Sequence, residues 1–162
     1  MINIPTLKKK SAKWNFKCEG KAPKYLKSII PEIVKFVLIH EKIDKEDLII
    51  EIIGKNKAGM AHENKKYLNK EGPTDIISLP LDKESLDKED QTTLLGTILF
   101  CLEEIKERAI KANKPEIKHI AHMIVHATLH LLGYTHEDEE DSKQMEGKEI
   151  SILSKMGITS PY

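Results

Sequence analysis

Residues 122–136 read HMIVHATLHLLGYTH, and the rest of the chain can be laid out from this stretch. His126 and His130 stand four residues apart, so on a helix they lie one turn above each other on the same face. That spacing lets both imidazoles reach one ion at Zn–N distances of about 2.0–2.1 Å. Gly133 falls where a helix commonly ends in a left-handed residue, and the turn made there returns His136 to the same ion as third ligand. Three protein ligands leave a fourth position for water, as in catalytic rather than structural sites. An i, i+4 histidine pair alone is a frequent coincidence. Three of the chain's seven histidines grouped around a turn glycine make coincidence a poor account. One divalent metal ion, zinc before any other, is expected on His126, His130 and His136.

The helix that carries the first two histidines opens at Pro115 and runs to about Leu132; a last amphipathic helix covers roughly residues 139–156. His122 lies four before His126 on the same stripe. A fourth histidine would close the site, so His122 is expected to support or pack rather than ligate. His119 belongs near the helix start and His62 to a polar segment, and neither is given a role. His40, at the end of an apolar helix, is expected at the surface near the C-terminal dipole.

Working back towards the N-terminus, residues 12–18 (AKWNFKC) alternate apolar and polar as a half-buried strand does. Leu26, Ile29, Ile30, Ile33, Val34, Val37 and Leu38 recur at helical spacing, with Pro31 either starting a helix or kinking one. Residues 48–53 (LIIEII) form a buried strand ended by Gly54, and residues 57–70 a short polar helix stopped by Gly72-Pro73. Two further strands, Asp75–Leu81 and Thr93–Phe100, flank the charged loop DKESLDKED. A helix with Leu102, Ile105, Ala109 and Ala112 on one face follows. Strands interspersed with helices give a single mixed α/β or α+β domain over residues 1–162.

The composition is that of an ordinary globular chain: 162 residues, 40% apolar and 32% charged, with 26 basic and 26 acidic residues. No apolar run approaches the roughly 18 residues of a membrane span. The opening MINIPTLKKK lacks the apolar core of a secretory signal, so a cytoplasmic location and no membrane partner are expected. Cys18 and Cys101 are far apart with no CxxC spacing, and both are read as reduced, packed thiols. Charge is uneven. Lys8, Lys9, Lys10, Lys13, Lys17, Lys21, Lys24 and Lys27 face one acid, Glu19, in the first 28 residues, while Glu137 to Asp141 form an acidic run. A basic arm attracts phosphates, yet it is also what a solvated tail looks like.

The spacing HxxxHxxGxxH is also that of metzincin zinc peptidases, which need a glutamate after the first histidine as general base. Here that position is Ala127, which cannot take a proton. A different family fits better. HMIVHATLHLLGYTHEDEEDSKQM resembles the YbeY-type endoribonucleases, whose hallmark is H-G-x-L-H-L-x-G-Y-D-H followed by an acidic segment and a methionine. The likeness extends to NKKYLNKEGPTDIISLPLD at 64–82, similar to the family's N-x-x-Y-R-G-x-x-x-P-T-D-V-L-S-F-P. It reaches LLGTILF at 94–100 and the ending GITSPY at 157–162.

This resemblance implies an α+β domain with a small mixed sheet of about four strands packed with helices. It also implies a zinc ion on His126, His130 and His136. The implied reaction is hydrolysis of single-stranded RNA during ribosomal RNA maturation; attack of a metal-activated water on the phosphodiester is the mechanism expected for it. Ribosomal RNA and the small ribosomal subunit are the implied partners, with no DNA specificity. The family's serine falls on Ser78, its asparagine and tyrosine on Asn64 and Tyr67. Ser78 and Lys70 are the candidate catalytic side chains. The sequence also departs from the pattern. Leu68 stands at the family's arginine, Thr97 and Thr135 at two aspartates, and Ala127 at a glycine. Leucine offers neither donor nor charge, so a bidentate phosphate contact is lost there, with Lys66 or Lys70 as a point-charge substitute. A zinc-containing RNA- or ribosome-binding module without catalysis is the alternative expectation, and a zinc peptidase a more distant one.

Overall fold

The computed structural model describes residues 2–5, 14–81, 93–159 and 161–162. The elements run β1 (Asn15–Gly20), α1 (Lys24–His40), β2 (Leu48–Gly54), α2 (Lys57–Leu68), β3 (Ile76–Pro80), β4 (Thr93–Phe100), α3 (Leu102–Lys111), α4 (Glu116–Leu131) and α5 (Glu139–Lys155). One four-stranded sheet has the order β1-β2-β4-β3. β1, β2 and β4 are parallel, and β3 runs antiparallel to β4 at one edge. The result is a single α+β domain with a mixed sheet.

Side-chain alternation explains how the sheet is covered. In β2, Leu48, Ile50 and Ile52 are buried while Ile49, Glu51 and Ile53 are only partly so. α1 lays Leu26, Ile30, Ile33, Val34, Val37 and Leu38 into the core, with Pro31 inside the helix rather than at its start. α4 is the helix that everything else surrounds. It packs on α1, α3, α5, β3 and β4, and ten of its sixteen residues are buried. A helix apolar on nearly all faces has to sit in the middle of a domain. In its C-terminal half, His126 and His130 are the residues left partly exposed, one turn apart on the same face.

Strand β1 starts later than the alternating pattern alone suggests. Its pairing with β2 runs from Asn15↔Ile49 to Gly20↔Gly54, so the ladder decides its end. Residues 12 and 13, the N-terminal lysines 8 to 13 and the charged segment 82–90 lie outside the described residues. The acidic run has a local reason at the start of α5. Asp138 caps the helix by accepting from the Asp141 N–H at 2.8 Å, and Glu139, Glu140 and Asp141 occupy its first turn. Carboxylates are favoured there by the partial positive charge of the helix N-terminus.

Close approach of α4 to the sheet depends on Gly96 in β4. A Cβ built there would lie 2.6 Å from Leu131 Cδ2 and 2.6 Å from the Leu79 carbonyl oxygen. Side chain and backbone block that space from both sides. Gly96→Ala is therefore expected to destabilise the fold by about 1–3 kcal/mol, the usual range for forced overpacking. Urea denaturation checks this; an unchanged midpoint would show that α4 can move away at little cost.

Candidate metal centre

The end of α4 builds the site in three steps. First, helical geometry stacks His126 and His130 on one face, with ring centroids 4.5 Å apart. Second, the helix closes at Gly133, whose φ of 96° is open to glycine at little steric cost. The Gly133 N–H donates to His130 O at 3.0 Å and the Tyr134 N–H to Leu129 O at 3.1 Å, pairing carbonyls that the helix end would otherwise leave free. Third, the reversed chain brings His136 back, its ring 5.5 Å from that of His126 and 4.9 Å from that of His130. One ring nitrogen from each of the three histidines lies within 4.8 Å of the others.

The partners of the outer ring nitrogens decide what the inner ones present. His126 Nδ1 is bonded to Glu149 Oε1, and His130 Nδ1 to the Tyr134 carbonyl oxygen at 2.8 Å. A carboxylate and a carbonyl can only accept, so each Nδ1 carries the proton and each neutral ring has its lone pair on Nε2. Those two Nε2 atoms face each other at 3.0 Å. Two lone pairs at that distance repel unless a cation stands between or beside them. Two ligands on a tetrahedral zinc at about 2.0–2.1 Å would sit roughly 3.3 Å apart, close to what is seen. The donor set therefore fits a divalent metal ion. Burial, with help from the neighbouring imidazoles His126 and His136, lowers the His130 pKa, which keeps it neutral and able to ligate.

Glu149, from α5, is the residue that the spacing argument did not find. It is 1% exposed at the side chain, accepts from His122 Nε2 at 3.0 Å and His126 Nδ1, and also takes the Tyr162 hydroxyl. Burial raises its pKa, but these three donors outweigh that and bring it down to about 2. His122 thus supports the site through Glu149 rather than ligating, in line with its place on the stripe. A signal for Glu149 was present. Met145, Ile152 and Leu153 form the buried face of α5, and Glu149 is the charged residue set among them. His40 differs from its expected surface position. Its side chain is only 13% exposed, with Nδ1 on Glu41 and Nε2 facing the Ser151 hydroxyl, which reaches it from α5.

The three histidines open onto a cleft of about 1100 Å³ that is also lined by Leu68, Lys70, Ser78 and Leu81. Its outer wall is β3, the edge strand, and the C-terminal end of α2. Ser78 donates its hydroxyl proton to the Ala127 carbonyl at 3.2 Å, tying β3 to α4. Asn64 is buried and donates to the Gly72 carbonyl at 2.8 Å, holding the segment that follows α2; Tyr67 stands 45% exposed on the same helix. His62 is exposed on α2, whereas His119 lies in the first turn of α4, as its place in the sequence suggests, and is buried there. Ala127 is wholly buried. Cys101 is a buried free thiol.

An α+β domain with an open three-histidine cluster at the end of a buried helix is the class that fold and site define together. Comparison with known proteins narrows it. The family described as endoribonuclease YbeY matches residues 13–157. A relative named endoribonuclease YbeY from Colwellia psychrerythraea is 37% identical over 99 residues, covering 61% of this chain and 62% of that protein. Another of the same name, from Vesicomyosocius okutanii, is 35% identical over 130 residues, covering 76% of this chain and 86% of the relative. A solution structure of a Thermotoga maritima protein superposes with a TM-score of 0.60 at 24% identity over 88% of each chain, which supports the fold. The chain belongs to the endoribonuclease YbeY family.

Glu149 gives the centre a pH signature. Its carboxyl titrates at about 2 when folded against an ordinary 4.5, so its contribution to stability is complete above about pH 4.5 and is lost as pH falls towards 2. In the metal-free protein, Glu149→Gln is expected to cost about 2 kcal/mol near neutral pH, the scale of hydrogen bonds to a charged group. Denaturant titrations should show the wild-type advantage shrinking below pH 4.5. An advantage that stays constant down to pH 2 would contradict this assignment.

Proposed function

We propose that this chain is a metal-dependent, single-strand-specific endoribonuclease acting in ribosomal RNA maturation. Zinc is the proposed ion, the cytoplasm the proposed compartment, and ribosomal RNA with the small ribosomal subunit the proposed partners; no DNA specificity is proposed. The observation that carries this reading is the pair of Nε2 atoms facing each other at 3.0 Å on the wall of an open cleft, in a member of an endoribonuclease family.

In this reading His126, His130 and His136 hold the ion, with Glu149 and the Tyr134 carbonyl keeping the Nδ1 protons in place. When bound, such an ion supplies Lewis-acid polarisation of a phosphoryl oxygen and lowers the pKa of water towards about 7. The remaining tasks fall to the cleft. Lys70 offers a point charge to the phosphate backbone, so binding is salt-sensitive and largely indifferent to sequence. Ser78, its proton directed at Ala127, leaves oxygen lone pairs that can accept from a ribose hydroxyl. The cleft runs along β3, an edge strand among the described residues, and a cleft along a strand suits an extended single strand.

One observation favours a second reading, a binding module without catalysis. Leu68, 46% exposed, puts an apolar side chain into the cleft at the position of the family's arginine. Peptidase chemistry finds no support, because the position after His126 is a buried methyl group with no base to offer.

Metal analysis joined to cleavage of a single-stranded RNA separates these readings. His130→Ala is expected to lose the metal and to reduce cleavage by at least about 100-fold, the scale of removing a catalytic ion's ligand. Leu68→Arg is expected to raise the rate several-fold by restoring a bidentate phosphate contact. Wild-type protein that binds RNA without metal-dependent cleavage would select the binding module instead.

A further inference from the structure

Glu41 stands at the C-terminal end of α1, far in sequence from the histidines, yet it is joined to them by one side chain. Its Oε2 accepts from the Tyr134 hydroxyl at 2.7 Å. Its Oε1 receives Lys148 Nζ at 3.3 Å and His40 Nδ1 at 3.1 Å. The Glu41 side chain is 7% exposed. Burial pushes its carboxyl pKa up, but the bonds from Tyr134, His40 and Lys148 reverse this and leave it below the ordinary value, so it is anionic at neutral pH. A buried carboxylate with three donors is a fixed point rather than a mobile surface group.

What Glu41 fixes is Tyr134, which is held at three places. Its N–H donates to Leu129 O at 3.1 Å, its hydroxyl to Glu41, and its carbonyl oxygen accepts from His130 Nδ1 at 2.8 Å. The residue lies four after His130 and two before His136. Rotation of its peptide would remove the acceptor that sets the His130 tautomer and would swing His136 away from the other two rings. A turn just past a helix end has little to stop that rotation, since terminal turns fray. The phenol anchored on α1 supplies the stop.

We infer that Glu41 is a positioning residue for the three-histidine cluster, acting through the Tyr134 side chain on the carbonyl that orients His130 and on the turn that carries His136. This rests on reading the cluster as a metal site. Glu41 touches neither the ion nor the cleft; its effect is on how well the three nitrogens are aimed. The centre then has two supports of different kinds. Glu149 holds His126 directly, and Glu41 holds His130 at one remove.

The test is a metal titration of Tyr134→Phe, Glu41→Ala, the double variant and Glu41→Gln, beside the wild type. Co²⁺ binding is followed by visible absorbance and Zn²⁺ by chelator competition, with thermal unfolding of each metal-free protein in parallel. The wild type is expected to bind one equivalent. Tyr134→Phe and Glu41→Ala should each weaken binding by about ten-fold, the low end for groups that orient ligands. The double variant should be little worse than either single one, because both remove the same bond. Glu41→Gln, which keeps an acceptor for the phenol, should recover most of the affinity. A purely structural role would lower the unfolding temperature and leave affinity and cobalt spectrum unchanged, and that result overturns the inference, as would fully additive losses. If the wild type binds neither ion, the metal reading itself fails, and the inference with it.

Discussion

Hydrogen-bond acceptors that cannot donate determine the chemistry of this molecule's open end. Because Glu149 and the Tyr134 carbonyl accept only, His126 and His130 must turn their lone pairs inward, where they meet at 3.0 Å. Two imidazoles free to choose tautomers would settle this by donating to one another. Here both are prevented from doing so, and the pair is left asking for a cation. The surrounding architecture maintains that condition. α4 must end at the surface, α5 must deliver a carboxylate across the helix, and the turn after Gly133 must aim one carbonyl backwards.

That arrangement carries a cost in the core. Glu149 occupies a position on the buried face of α5 where an apolar residue would pack without desolvation, and replacing buried charges by apolar groups often stabilises proteins. Its three donors offset the cost, and two of them are histidines of α4. The network extends to Tyr162, whose ring also meets His122 edge-on at 5.4 Å. Such a network specifies one relative placement of α4 and α5, whereas an apolar contact would tolerate sliding. Placement matters more than stability at this end of the domain, since three nitrogens must converge within a few ångströms.

Much of this was legible in the sequence because it depends on short-range periodicity. The i, i+4 histidines, the turn glycine, the apolar run LIIEII ended by Gly54 and the apolar spacing of α1 are local patterns, and each element they imply is present. Strand order and the antiparallel placement of β3 were not legible, since pairing joins residues tens of positions apart. Glu149 and Glu41 were missed for the same reason. Each meets its partner across 23 and 93 residues respectively, and nothing in the spacing around His126 or Tyr134 points to them. A lone acid on an apolar stripe was the available sign for Glu149. Glu41 has none, because a charged residue just after a helix looks like any solvated end.

The substitutions that set this chain apart from its family's pattern are not equivalent once placed. Thr97 donates its hydroxyl to Glu51 Oε2 at 3.2 Å, and Thr135 donates to Asp141 Oδ2 at 2.9 Å. In both places a carboxylate from a nearby strand or helix stands beside the threonine, so negative charge is displaced by one side chain rather than removed from the neighbourhood. Leu68 has no comparable substitution. It turns an apolar side chain into the cleft, and the cation lining that space among the described residues, Lys70, is a flexible point charge without the two-pronged geometry of a guanidinium. The two threonines are therefore compatible with an unchanged electrostatic setting. Leu68 gives the cleft an apolar lining residue, while the three histidines are left as they are.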